Sequence, residues 1–296
     1  MAGALLVSCE RGTDPADEGG NTSTAAEPGR DWPLFRGDAE MQGFTSEELS
    51  PPLRLAWSFE TPGEEGKRRP PIEASPVVAD GRVFVGSQNG YFYAMDLEEG
   101  TLAWSFKADG PIIAPAAVLE GVVYVGDTYG LVYALKAEDG AELWRFETGG
   151  KIEGGINTLK GGTGPSRIFV GSHDYFLYTL DAATGEVLDK HETGNYVVST
   201  PSLVRTGSGI DLTFGGCDGL LHVLPVEGGG AKREIEIGAY VANTSAVRDG
   251  ICYVAHNGGE VVAIEIVSGK TVWTASTGVE YTASPAVDET RVYAAG

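Results

Sequence analysis

Few residues in this chain of 296 have the chemistry to make or break bonds. The three cysteines, Cys9, Cys217 and Cys252, stand far apart with no Cys-x-x-Cys, so the sequence offers neither a zinc knuckle nor a disulfide framework. His173 and His256 fall in related turns. They could share a metal only across a central channel, and no third ligand accompanies them. No phosphate-binding glycine loop, Gly-x-Ser-x-Gly elbow or His-Glu-x-x-His pair occurs. The sequence therefore assigns no catalytic residue and no metal. With 42 acids against 21 bases, a net charge of −21 repels phosphate backbones and argues against nucleic acid as a partner.

The elements that must position any site come from an internal repeat. Arg82–Gly86, Val122–Gly126, Arg167–Gly171, Asp211–Gly215 and Ile251–Ala255 are versions of one strand, ending at intervals of 40, 45, 44 and 40 residues. Each is preceded by a run of small residues. Each is followed by a two-residue turn, Asn89-Gly90, Tyr129-Gly130, Asp174-Tyr175, Asp218-Gly219 or Gly258-Gly259, read as a type I′ hairpin. A third strand follows, then a glycine turn and a fourth strand. Gly100, Gly140 and Gly269 each precede a tryptophan by four residues: Trp104, Trp144 and Trp273. Gly185 and Gly229 keep the spacing but lead to Asp189 and Arg233. Trp57 belongs to an extra fourth strand, Leu53–Glu60, ahead of the first full repeat.

Four short antiparallel strands per roughly 40–45 residues, without helical periodicity, predict an all-β propeller of four-stranded blades. His222 occupies the place of Tyr93 and Tyr133 and reads as a packed blade residue; Cys252 aligns with Val83 and Val123 and reads as a small core hydrophobe. Five blades are complete between about Ile72 and Thr277. A sixth has only its first two strands.

The pattern Ala94-x-Asp96-x3-Gly100-x3-Trp104, its looser copy from Ala263 to Trp273, and the leading segment Asp31–Gly37 resemble the pyrroloquinoline-quinone-like propeller repeat family. That resemblance implies that Trp57, Trp104, Trp144 and Trp273 dock between adjacent blades. It also implies a ring of seven or eight blades, so the chain reads as cut short, with Leu53–Glu60 as the closing strand. The family includes quinoprotein alcohol dehydrogenases and the lipoprotein scaffold of outer-membrane β-barrel assembly. The dehydrogenases carry an adjacent Cys-Cys pair that this sequence lacks.

Leu6-Val7-Ser8-Cys9 resembles a bacterial lipobox, which implies lipidation at Cys9 and export to the cell envelope or periplasm. Residues 1–9 then form a shortened lipoprotein signal, 10–30 a disordered acidic linker and 31–296 the propeller. Loops on a rigid scaffold carry function. The candidate binding face comprises Glu73, Glu153, His173, Asp174, Asn195, Tyr196, Tyr240, His256, Glu280 and Tyr281. The function expected is a non-catalytic envelope scaffold that binds a protein or extended peptide, with no cofactor. The alternatives are an oxidoreductase using pyrroloquinoline quinone with calcium and a carbohydrate- or ligand-binding sensor.

Overall fold

The computed structural model describes residues 7–8, 31–62, 68–228 and 230–296. Cys9 and the 10–30 linker lie outside the described residues. No α-helix occurs among the described residues, so no helix there is long and apolar enough to cross a membrane.

Five four-stranded antiparallel sheets follow one another, each a meander in chain order. Blade I comprises Val77–Ala79, Arg82–Gly86, Tyr91–Asp96 and Leu102–Lys107. Blade II comprises Ala117–Leu119, Val122–Gly126, Leu131–Lys136 and Glu142–Glu147. Blade III comprises Asn157–Leu159, Arg167–Gly171, Phe176–Asp181 and Val187–Glu192. Blade IV comprises Ser202–Thr206, Gly209–Gly215, Leu220–Gly228 and Arg233–Glu236. Blade V comprises Ala246–Arg248, Ile251–His256, Glu260–Glu265 and Lys270–Ser276, and a hairpin of Ala286–Val287 with Val292–Tyr293 ends the chain. The second and third strands are buried on both faces, which explains their unbroken apolar runs. Fourth strands such as Leu102–Lys107 are exposed edges.

The hairpin chemistry differs from the sequence expectation. Type I′ needs two residues at positive φ. Between the second and third strands only Gly90, Gly130, Tyr175, Gly219 and Gly259 have one, and Gly90 N–H closes a turn on the Ser87 carbonyl. The paired positive φ values lie instead between the first and second strands, at Asp80-Gly81, Glu120-Gly121 and Asp249-Gly250.

Blade docking repeats one contact. Trp57, Trp104 and Trp144 lie against Gly100, Gly140 and Gly185 of the next blade, where a Cβ would stand 2.3, 2.5 and 2.6 Å from the indole. Each indole N–H donates to the carbonyl three residues before that glycine: Leu97 (2.9 Å), Ala137 (3.0 Å) and Ala182 (3.1 Å). In blade IV, where tryptophan is missing, Arg233 supplies the donor, to Ile266 at 2.6 Å. At the boundary of blades III and IV the carbonyl of Val226 accepts from Arg167, as Ala137 accepts from Arg82 beside Trp104. Trp273 stays 38 % exposed beside Tyr253, and the terminal hairpin brings no such glycine to it. Arg54–Leu55 pairs with Val7–Ser8 and not with the terminal hairpin, so Leu53–Glu60 does not close a ring among the described residues.

Residues 32–42 act as a strap across the innermost strands. The carbonyls of Trp32, Pro33, Ala39, Glu40 and Gln42 accept the N–H groups of Val78, Val118, Leu203, Val247 and Val287 at 2.7–2.9 Å. Blade III joins through its side chain: buried Asn157 donates to Ala39 and to Pro201, both at 2.8 Å. One peptide thus satisfies ladder donors that would otherwise be orphaned at the hub.

Candidate binding face

The loops that enter the blades are stitched to the turns between second and third strands, of the same blade or of the one before, which sets both on one face. Ile112 N–H donates to Ser87, His173 to Lys151, Val197 to Ser172, Val241 to Gly216 and Asn257 to Tyr240. Beneath this rim a carboxylate anchors each of three turns. Asp127 accepts Gly110 N–H (2.9 Å) and Tyr133 O–H (3.0 Å), Asp174 accepts Gly149 N–H (2.7 Å) and Tyr178 O–H (2.6 Å), and Asp218 accepts Gly194 N–H (3.0 Å). Burial first, and the Asp174 carboxylate second, push the Tyr178 phenol well above its ordinary range, so it remains a donor.

Several of the sequence candidates turn inward. Asp174 serves its own turn. His256 is 2 % exposed, and its Nδ1 accepts the N–H of Gly258. Tyr281 is 6 % exposed, packed with Ala255 and Val261 and bonded through its hydroxyl to Thr277. Glu73 and Glu280 are exposed at opposite ends of the blade series.

The structure brings Glu153, His173, Asn195 and Tyr196 together at the boundary of blades III and IV. His173 Nε2 lies 2.9 Å from Glu153 Oε2, and its ring stacks on Tyr196 with centroids 4.5 Å apart. Asn195 Nδ2 donates to the Cys217 carbonyl, and Cys217 N–H to Tyr196. Burial, with Asp218 and Glu153 nearby, raises the Cys217 thiol above its usual value. Tyr175 completes the cluster, its ring centroid 5.3 Å from that of Tyr196. Its φ of +75° is one that a bulky residue rarely adopts. The sequence candidates do not include Tyr175, yet a signal is present: glycine fills that position in the other four copies.

Tyr240 lies beyond, held by Asn257 Nδ2 at 2.9 Å, and Tyr129 packs over Gly110. Tyr129, Tyr175, Tyr196 and Tyr240 are 67, 43, 42 and 48 % exposed. Tyr196 and Tyr175, of a side-chain type enriched where proteins meet, thus stand as exposed amphipathic rings next to His173 and its partner Glu153.

Comparison with known proteins follows the repeat. The family model for the outer membrane protein assembly factor BamB matches residues 53–196 and 226–296. No curated protein sequence matches. Among solved structures, BamB of Moraxella catarrhalis superposes with a TM-score of 0.64 at 18 % identity, over 75 % of this chain and 70 % of that one. The quinohemoprotein alcohol dehydrogenase of Comamonas testosteroni gives 0.68 at 18 % identity, over 83 % of this chain and 49 % of that one. This chain thus corresponds to about half of that enzyme. The computationally designed protein Ika8 gives 0.64 at 18 % identity, over 78 and 69 %. At such identities the structural likeness establishes the fold alone.

Proposed function

The chain belongs to the family of the outer membrane protein assembly factor BamB, and from that premise we propose that it is a non-catalytic scaffold of the cell envelope. In this reading it is exported and anchored through lipidated Cys9. It works without a cofactor, presenting the tyrosine face of blades II to V to an envelope protein or to an extended peptide passing through outer-membrane protein assembly. Its mechanism is rigid presentation: the strap and the inter-blade donors fix the loops, and a partner pays little ordering entropy on docking.

One observation carries the proposal. Tyr175 holds a left-handed conformation that four sister turns give to glycine. Such strain persists where the side chain is needed, and the ring it delivers extends the Tyr196–His173 stack into solvent.

The test is site-specific photo-crosslinking in the source organism. A photoreactive residue replacing Tyr196 is expected to give discrete adducts with envelope proteins. The same residue replacing Lys160, in the exposed loop between the first two strands of blade III, is expected to give none. Equal labelling from both positions would refute the face. Calcium-dependent binding of pyrroloquinoline quinone to the purified chain, read as a rise in Tm, would instead favour an oxidoreductase.

A further inference from the structure

Three blade interfaces share an aromatic pair. Two residues beyond each docking tryptophan, Phe59, Phe106 and Phe146 meet Tyr93, Tyr133 and Tyr178 of the next blade, with ring centroids 5.2, 5.2 and 5.3 Å apart. Across the sheet from Tyr133 and Tyr178 stand the cations Arg145 and Lys190, 5.2 and 4.9 Å from the phenol rings. Between blades III and IV all three positions change together. His191 replaces the phenylalanine, His222 the tyrosine and Glu234 the cation. The packing geometry survives, with centroids 5.2 Å apart and planes at 68°, against 64° in the two preceding interfaces.

The new side chains are metal donors, and their surroundings orient them as such. His222 is 1 % exposed and places Nε2 2.9 Å from Asp218 Oδ2, the post that accepts a tyrosine hydroxyl in the sister blades. That contact assigns the proton to Nε2 and leaves Nδ1 with a free lone pair. Nδ1 faces His191 Nε2 at 3.2 Å and Glu234 Oε1 at 3.8 Å. The three donor atoms lie within 4.8 Å of one another. Tetrahedral zinc, with ligands at about 2.0–2.1 Å, separates neighbouring donors by about 3.3 Å. Exchanging a cation for a carboxylate also turns the local charge toward a bound dication, and a carboxylate behind a ligating imidazole is the usual outer-shell support.

We propose that His191 Nε2, His222 Nδ1 and Glu234 Oε1 form a site for a divalent transition-metal ion, zinc foremost, that staples blade III to blade IV. The ion replaces an aromatic pair with a coordinate one at the rim of the tyrosine face. Its fourth position opens to solvent beside Glu234, whose side chain is 55 % exposed. Without metal the two imidazoles would share a single N–H···N hydrogen bond.

The test uses the full chain, stripped with a chelator and titrated with zinc sulfate against a chromophoric indicator. One equivalent is expected to bind, with Tm rising as free zinc rises. The triple variant His191→Phe/His222→Tyr/Glu234→Arg installs the residues of the interface between blades I and II, Phe106, Tyr133 and Arg145, and is expected to fold while losing more than about tenfold in affinity. Glu234→Gln changes an exposed position and should weaken zinc by about tenfold, while His173→Ala should leave binding unchanged. X-ray absorption of the 1:1 complex should show a nitrogen and oxygen shell with two imidazoles. Failure of the wild-type chain to bind, undiminished affinity in the triple variant, or loss of the ion with His173→Ala would each overturn the site.

Discussion

Tyr175, held at a φ of +75°, places its ring 5.3 Å from that of Tyr196 across the boundary of blades III and IV. A left-handed conformation costs a non-glycine residue about 1–2 kcal/mol, and an aromatic contact returns about 0.5–1.5 kcal/mol. Tyr175→Gly should therefore leave stability within about 1 kcal/mol of wild type in urea titrations, while crosslinking from Tyr196 falls several-fold. A large loss of stability would show the ring to be a structural prop.

The two kinds of positive-φ glycine should respond differently to the same substitution. Gly121 has a φ of +77° and open space for 4 Å around the place a Cβ would take, whereas at Gly140, with a φ of +73°, a Cβ would stand 2.5 Å from Trp104. Gly121→Ala should cost about 1 kcal/mol of backbone strain. Gly140→Ala should cost about 1–3 kcal/mol more, because the indole must leave its seat and its hydrogen bond to Ala137. Equal midpoints in a denaturant series would contradict the docking role of Trp104.

Asn157 joins the strap to blades III and IV through two donated bonds, and its Oδ1 accepts Thr158 N–H at 2.7 Å. Asn157→Leu removes all three and leaves the Pro201 carbonyl and the Thr158 amide without partners in the interior, while the Ala39 carbonyl keeps only Leu203 N–H. The expected loss is about 2–5 kcal/mol, with faster proteolysis within residues 32–42 as the local readout.

Burial pushes the Cys252 thiol up to about 11. At pH 8 only about one molecule in a thousand then carries its thiolate, and the site is closed besides. Cys217 is half-buried and also raised, by burial and by Asp218 and Glu153. Peptide mapping after iodoacetamide treatment should show slow alkylation of Cys217 in the native protein and of Cys252 only in urea. Native labelling of Cys252 would mean that blade V opens.

The blades are legible in the sequence because they rest on local grammar. Strands buried on both faces read as apolar runs, and the glycine-x3-tryptophan spacing marks the fourth strand of blades I, II and V. Features set by long-range partners are not legible. Nothing local in residues 32–42 says that their carbonyls serve the first strands of successive blades. Nor does the sequence show that Arg233 takes over a tryptophan's hydrogen bond from across a blade boundary. The hairpins depart from expectation because an Asn-Gly pair favours type I′ in isolation, whereas here the turn closes one residue earlier and only the glycine is left-handed. At the candidate face, loop membership can be read but side-chain direction cannot. His173 and His256 look alike in sequence, yet one stacks on Tyr196 and the other is enclosed.

The most direct test of the scaffold is complementation in the source organism after deletion of the gene, reading the amount of folded β-barrel protein in the outer membrane. The account predicts that the wild-type chain restores that amount and that a stable Tyr175→Gly/Tyr196→Ser variant does not. Full restoration by the variant, or no change in barrel content on deletion, would contradict it.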